Sequence, residues 1–220
     1  MTNPEFSIEF DILYNNISSN KAPGLNEYEK SVFLTKAQEQ IVTELYSGRN
    51  TTYNSFEETE ELRRYLSSLI VTTGCPTYSE EDKELIKITN NSMLFVIPEN
   101  VLFLVKEVIV SNNYSEIDVY PVSQDELSKT LKNPFRGPSN NRALRLDVGT
   151  NIVEVIYPSI ISTYKVRYIR KPNPIILTDL EDDLSINGVA EESECELDSS
   201  LHRTILDRAV ALALQTMYSK

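Results

Sequence analysis

The stretch NEYEKSVFLTKAQEQIVTELYSG, residues 26–48, contains the complete signal for one helix and decides how the chain begins to fold. Asn26 is suited to cap the first turn, and Glu29 three positions later completes a capping box. Gly48 has the residue type that most often follows the last turn of a helix. Between them one apolar stripe recurs at helical spacing: Phe33, Leu34, Ala37, Ile41, Val42 and Leu45. The stretch predicts an amphipathic helix that must pack against other elements.

Further helical signals lie on both sides of this stretch. Pro4 stands at a first helical position, ahead of apolar residues at helical spacing. Ser55 and Glu58 repeat the capping box, and the apolar pattern after them continues towards Val71. We expect residues 1–75 to form two or three helices of a bundle.

Residues 76–180 carry a different pattern, with short β-rich runs separated by Asn, Pro, Gly and Ser clusters. We expect an antiparallel sheet here, interrupted by a short helix near 123–132 that Ser123 caps. A short extended piece at 175–177 follows two prolines. The predicted strands cover residues 85–89, 94–97, 103–110, 116–122, 143–148, 152–157 and 164–170.

Residues 181–220 combine the end of an acidic irregular segment with a final helix, which Ser199 or Ser200 is expected to cap. The broad apolar stripe of that helix has to be covered. The economical arrangement returns it to the N-terminal helices. We therefore predict an α+β protein, with a helical bundle made from both ends of the chain and a β-rich middle region.

Composition disfavours several classes of function. The 220 residues have a formal net charge of −12 and only six glycines, which argues against a free nucleic-acid binder and a phosphate loop. His202 is the only histidine, and Cys75 and Cys195 fit no metal or redox spacing. No GxGxxG, Walker, HExxH or GxSxG pattern occurs. We expect no catalytic residue, no cofactor and no metal ion, so the chain should not be an enzyme.

Membrane and export signals are also missing from the sequence. No run of about 20 apolar residues occurs, and the acidic start of the chain lacks the basic and apolar regions of a signal peptide. We expect synthesis in a cytoplasm and no membrane partner.

Charge divides unevenly along the chain. Residues 1–75 carry 11 acidic and six basic residues, residues 76–180 carry 13 and 12, and residues 181–220 carry nine and three. Residues 129–171 alone hold nine basic residues against Asp147 and Glu154. Opposite charge blocks suit a head-to-tail contact between neighbouring copies, although a solvated β surface would give the same pattern.

The most distinctive local element is NPFRGP, residues 133–138. Its two prolines restrict the backbone around an aromatic and a basic side chain, and such side chains are typical interface anchors. The alternative is that Phe135 fills a core. The interface candidates are Asn133, Pro134, Phe135, Arg136, Arg142, Arg145, Arg167, Arg170 and Lys171.

Four sets of residues, in this order, resemble the head-to-tail adaptor and ring proteins of short-tailed bacteriophages, particularly the crAss-like phages. They span nearly the whole chain. They are NEYEKS at 26–31 leading into LTKAQ at 34–38, NPFR at 133–136, YIRKP at 168–172, and CEL at 195–197 before Leu201, His202 and the final helix.

The resemblance implies a subunit of a twelvefold ring that joins the portal protein to the tail and to other tail ring proteins. Genomic DNA would pass through its channel without specific binding, and the protein would reside in the virion at the portal vertex. The family shape, a helical bundle with a β-rich part, agrees with the fold expected above. The acidic segment at 179–196 is a possible departure from other short-tailed phages.

Two other functions stay open at this point. A DNA-handling protein would use the basic segment 129–171 and bind DNA in a salt-sensitive manner. An enzyme of unrecognised type would need a pocket with converging polar groups.

Overall fold

The computed structural model describes residues 1–18, 23–48, 59–79, 87–111, 114–181 and 183–218. The helices are α1 Asn3–Ser18, α2 Glu27–Ser47, α3 Glu60–Tyr65, α4 Gln124–Lys132 and α5 His202–Tyr218. The strands are β1 Ile70–Cys75, β2 Ser92–Val96, β3 Val101–Ser111, β4 Tyr114–Pro121, β5 Arg142–Gly149, β6 Ile152–Ile156 and β7 Ile161–Arg170. The α+β class predicted from the sequence is confirmed.

The chain divides into two compact units. The first combines residues 1–69 with residues 171–220, and the second is continuous from 70 to 170. Residues 70–75 belong to the second unit because β1 pairs with β7 over its whole length. The extended residues that follow β7 belong to the first unit, where they lie along α2.

The first unit is a helical bundle in which α5 packs against α2 and α1, as the sequence predicts. Phe6, Phe10 and Tyr14 lie one turn apart on α1 and are fully or almost fully buried. They meet the apolar stripes of the other two helices, which include Leu34 and Leu206, both 0% exposed. Burying each such side chain stabilises the fold by about 1.5–3 kcal/mol. Packing of both ends of the chain therefore forms this core.

The ends of α2 agree with its sequence. Asn26 Oδ1 accepts the Glu29 backbone N–H at 2.8 Å, and Glu29 Oε2 accepts the Asn26 backbone N–H at 2.9 Å. Gly48 has a φ of 71°, which lies in the left-handed region. Residues other than glycine adopt this backbone conformation only at a cost in free energy. The capping box and the glycine stop are both confirmed.

The extended residues 173–177 lie along a polar stripe of α2. Ser31 Oγ accepts the Leu177 N–H at 3.0 Å, and Gln38 Nε2 donates to the Asn173 carbonyl at 2.7 Å. Ile176 also pairs with Ser193 in an isolated β-bridge. This segment thus satisfies its backbone groups largely with helix side chains rather than within a sheet.

The second unit is a seven-stranded sheet in the order β1-β7-β3-β4-β5-β6-β2. Five of its six strand pairs are antiparallel, in line with the antiparallel sheet expected from the sequence, but β4 and β5 run parallel. The reason is the connection between them. This connection contains α4 and returns the chain to the end of the sheet at which β4 begins, as a parallel neighbour requires.

One large apolar cluster fills the second unit. Its members include Phe95 from β2, Ile109 from β3, Val155 from β6 and Tyr164 from β7. The rings of Phe95 and Tyr164 lie 5.1 Å apart between centroids at a tilt of 50°, a favourable aromatic geometry. A smaller cluster beneath α4 is formed around Leu127.

Three local predictions need correction. The helix expected to continue towards Val71 ends at Tyr65, and the β-branched run from Ile70 forms β1 instead. No strand covers residues 87–89, because the backbone N–H groups of Ile88 and Thr89 bond the carboxylate of Glu154. Every predicted strand after residue 90 overlaps one of β2 to β7.

The caps of α4 and α5 are the third correction. Ser123 stands at the N-cap position of α4 but makes no side-chain capping hydrogen bond. Before α5, Asp198, not Ser199 or Ser200, supplies the capping oxygen, because its Oδ1 accepts the Ser200 N–H at 3.0 Å. A single 3-10 turn, Ser199–Leu201, then precedes the helix. The expected cap Ser55 and its partner Glu58 lie outside the described residues.

Candidate interface sites

The loop at residues 133–138 is braced by its own hydrogen bonds. Asn133 Oδ1 accepts the Phe135 N–H at 2.9 Å, and the Asn133 carbonyl accepts the Arg136 and Gly137 N–H groups at 3.2 and 2.8 Å. A Cβ on Gly137 would come within 3.0 Å of the Asn133 carbonyl, so this close turn favours glycine. The loop is a tight, self-supported turn.

Phe135 projects from this turn into solvent, with 89% of its surface exposed. The neighbouring Pro134 and Arg136 are exposed as well. The alternative in which Phe135 fills a core is therefore wrong. An exposed aromatic side chain on a rigid turn is the geometry that protein interfaces use for an anchor.

Arg142 braces the same loop. Its Nη1 donates to the Phe135 carbonyl at 2.8 Å, and its guanidinium lies 4.7 Å from the centroid of the Tyr120 ring. These two contacts fix the side chain between β4 and the loop. Arg142 thus helps to hold in place the loop that carries Phe135.

Arg145 occupies a different environment from the other candidates. Its side chain is 11% exposed, and Nη1 lies 2.6 Å from Oε1 of Glu107, which is 7% exposed. Tyr164, 0% exposed, donates its hydroxyl to the second oxygen of Glu107. Burial opposes the charged guanidinium, but the facing carboxylates of Glu107 and Asp147 outweigh it and raise the pKa of Arg145. This buried network joins β3, β5 and β7 and has a structural role.

The remaining basic candidates lie at the surface or near it. Arg167 and Lys171 are exposed, whereas Arg170 is half-buried. Arg167 pairs in register with Lys106 of β3, whose side chain is 61% exposed. Lys106 was not among the residues that the sequence singled out, because only strand register brings it beside Arg167.

An apolar pocket of about 460 Å³ lies on the first unit, between the beginning of α2 and the end of α5. Its sides are formed mainly by Leu25, Tyr28, Val32, Phe33 and Ala213. Glu29 and Thr216 lie at its edge. The sequence does not reveal this pocket, since its walls come from helices that are about 180 residues apart in the chain.

His202 and Cys195 do not form a catalytic pair. The His202 ring is 7% exposed and uses Nε2 on the Leu197 carbonyl at 3.1 Å and Nδ1 on the Met1 amino group at 2.6 Å. Cys195 donates to Gln38 Oε1 at 3.3 Å, and burial raises the pKa of its thiol to about 11. A thiol with so high a pKa is mostly protonated at neutral pH and a poor nucleophile.

The residues that the structure describes contain no group of three or more His, Cys, Asp or Glu side chains arranged to hold a metal ion. Nor does any helix there combine the length and apolarity needed to cross a bilayer.

Comparison with known proteins identifies the family. A family model described as phage tail ring protein 3/4 matches residues 1–220. Ring protein 3 of Bacteroides phage crAss001 is 46% identical to this chain over 224 residues, which cover 97% of this chain and 95% of that protein. Ring protein 4/5 of the same phage is 40% identical over 225 residues, covering 95% of this chain and 90% of that protein. The chain belongs to the phage tail ring protein 3/4 family.

Proposed function

We propose that this chain is a non-enzymatic structural subunit of a ring in the tail of a crAss-like phage. The observation that carries the proposal is the family match over all 220 residues, together with two relatives that bear the name ring protein. The copies form a closed ring around the path of the genome, joining the portal protein to the tail. A twelvefold ring would match the portal in the connector that the sequence resembles.

The surface features of the chain support assembly. An exposed aromatic side chain on a braced turn, Phe135, and an open apolar pocket on the first unit would each gain free energy from being covered by a partner. The basic segment 129–171 contrasts with acidic ends of the chain. Opposite patches of this kind guide copies into one register.

Passage of DNA without binding follows from the same charge distribution. Exposed carboxylates crowd the segment between Asp179 and Glu194, including Glu181, Asp183 and Glu191. Facing a channel, these groups would repel phosphates weakly over roughly 8 Å at physiological salt. The genome would then meet a wall to which it does not adhere.

Electron microscopy of the purified chain and of the virion tests this function. We expect ring-shaped particles with a central hole, and the same ring between portal and tail in the virion. Sedimentation gives the mass of the ring independently. A chain that stays monomeric at every concentration and is absent from the virion would contradict the proposal.

A DNA-handling function remains the second candidate. Its support is the exposed pair Arg167 and Lys106, which face solvent on adjacent strands. It requires DNA affinity that falls steeply as salt rises. A titration of the purified chain with duplex DNA at two salt concentrations separates it from the ring function, which predicts no measurable binding.

A further inference from the structure

The exposed Phe135 and the pocket of the first unit are complementary features of one chain. Phe135 has a free aromatic ring on a braced turn, and the pocket between α2 and α5 has a free apolar interior. We propose that Phe135 of one copy enters the pocket of the adjacent copy. This inference rests on the ring function proposed above and adds the contact that joins the copies.

The pocket has the shape and chemistry of an aromatic receptor. Its volume of about 460 Å³ accommodates a phenyl ring and the stem of a neighbouring side chain. Tyr28 and Phe33 give the lining two aromatic rings, against which a further ring packs favourably, and Ala213 is a small residue of the same lining. The turn that carries Phe135 is already held by Asn133 and Arg142. Docking therefore orders little new backbone, which favours affinity.

Charge supports the same pairing. Arg136 is exposed next to Phe135, and Glu29 lies at the edge of the pocket. Glu29 uses Oε2 to cap α2, so Oε1 still has acceptor capacity for a guanidinium. The unit that bears the pocket carries 21 acidic and ten basic residues, whereas the unit that bears the loop carries 12 and 11. The acidic unit therefore attracts the basic loop.

A second copy is the occupant that fits best. The loop and the pocket are different surfaces of the same chain, so copies can join head to tail through them, and repeating a head-to-tail contact closes a ring when the rotation allows it. Both halves are present in every copy, so no further protein is needed. A related ring protein that supplies only one half is the competing occupant.

Disulfide trapping between two variants tests the contact directly. Chains with Arg136→Cys, which keep the Phe135 ring, are mixed with chains with Thr216→Cys, because both positions are exposed and Thr216 lines the pocket. We expect an oxidised heterodimer on a non-reducing gel. The control replaces Thr216→Cys with Gln215→Cys, an exposed neighbour outside the pocket, and should give little cross-link. An equal yield from both pairs, or none from the first, overturns the inference.

Filling the pocket gives a second readout. Thr216→Trp should weaken association of the copies by about tenfold or more, whereas Gln215→Trp should leave it within about twofold. Rings that persist with Thr216→Trp and give no cross-link would overturn the contact and leave the ring function standing. Loss of rings in the unmodified chain and in the virion would overturn the function itself. Cross-linking only to a different ring protein would exclude self-contact.

Discussion

Thr35 and Ile175 exchange two hydrogen bonds through a single hydroxyl group. Thr35 Oγ1 accepts the Ile175 N–H at 3.0 Å and donates to the Ile175 carbonyl at 3.3 Å, across 140 positions of sequence. Both residues are buried, with Ile175 at 0% exposure. A helix side chain thus provides the pairing that a sheet would otherwise give to this extended segment, and it ties the end of the sequence to α2.

Replacing that hydroxyl should destabilise the first unit. Thr35→Val keeps the shape of the side chain but leaves the N–H and the carbonyl of Ile175 buried without a partner. We expect a loss of about 2–4 kcal/mol in the free energy of unfolding, measured by urea denaturation. Thr43→Val on the exposed side of the same helix is the control and should change stability by less than about 0.5 kcal/mol. Equal effects of the two changes would contradict this role of Thr35.

The turn at residues 133–138 should matter for assembly and not for folding. Because Phe135 is 89% exposed, Phe135→Ala should change the free energy of unfolding by less than about 0.5 kcal/mol. The same change, and Arg136→Ala, should reduce incorporation into particles. Ile160→Ala removes another apolar side chain that is 71% exposed and serves as the control. A loss of several kcal/mol in the isolated chain would contradict the interface role.

The buried carboxylate of Glu154 should make the second unit sensitive to acid. Glu154 is 0% exposed and accepts bonds from the Ile88 and Thr89 N–H groups and from the hydroxyls of Thr89 and Ser92. Burial alone would raise the pKa of this carboxyl, but the four donors outweigh it and lower the pKa below the usual 4.5. Its contribution to stability is therefore complete above pH 4.5 and is lost as the pH falls through the lowered pKa.

Glu154→Gln tests this dependence. The amide accepts fewer of the four donors, so we expect a loss of about 2–3 kcal/mol at pH 7 and a flatter stability curve below pH 4.5. Glu116→Gln, at an exposed position of β4, should change neither the stability at pH 7 nor the shape of the acid part of the curve. Urea denaturation at several pH values measures the two together. An unchanged acid branch in Glu154→Gln would contradict the proposed cause.

Removing one partner of the ion pair between Arg145 and Glu107 should lower the free energy of unfolding more than replacing both partners. Arg145→Met leaves a buried carboxylate facing only the Tyr164 hydroxyl, and we expect a loss of about 3–5 kcal/mol. Adding Glu107→Gln should recover part of that loss. Lys106→Met is the control, since its pair with Asp118 is long, at 3.9 Å, and exposed. Additive losses in the double variant would indicate that the two side chains act independently.

The inner wall of the ring should consist mainly of Asp, Glu, Asn, Ser and Thr. A basic wall would bind phosphates by releasing counterions and would slow a moving duplex. Arg142 and Arg145 are already engaged within the chain, which leaves Arg167 as the clearest free candidate for DNA contact. A structure of the assembled ring measures the lining. A lumen lined by Arg142, Arg145, Arg167 and Arg170 would contradict this prediction and favour direct DNA binding.

The site could be predicted from the sequence only in part. The residues NPFRGP predict a rigid turn, and local bonds from Asn133 to its neighbours explain why a sequence signal is enough for the turn, whose interface role stays a prediction. Arg145 carried the same signal of positive charge, yet it lies in a buried network with Glu107, a partner 38 positions away. A charge pattern along the sequence does not distinguish an exposed base from one that has a partner on another strand.

The elements whose causes are local follow from residues that are neighbours in the sequence. The cap at Asn26, the stop at Gly48 and the apolar stripe between them gave α2 its bounds, because the capping contacts reach only three residues. Tertiary structure alone decided that residues 70–75 form a strand, since pairing with β7 overrides the helical pattern before it. It also decided the parallel pairing of β4 with β5 and the position of Ile175 on Thr35. These features depend on partners far along the chain, whose proximity only the folded protein creates.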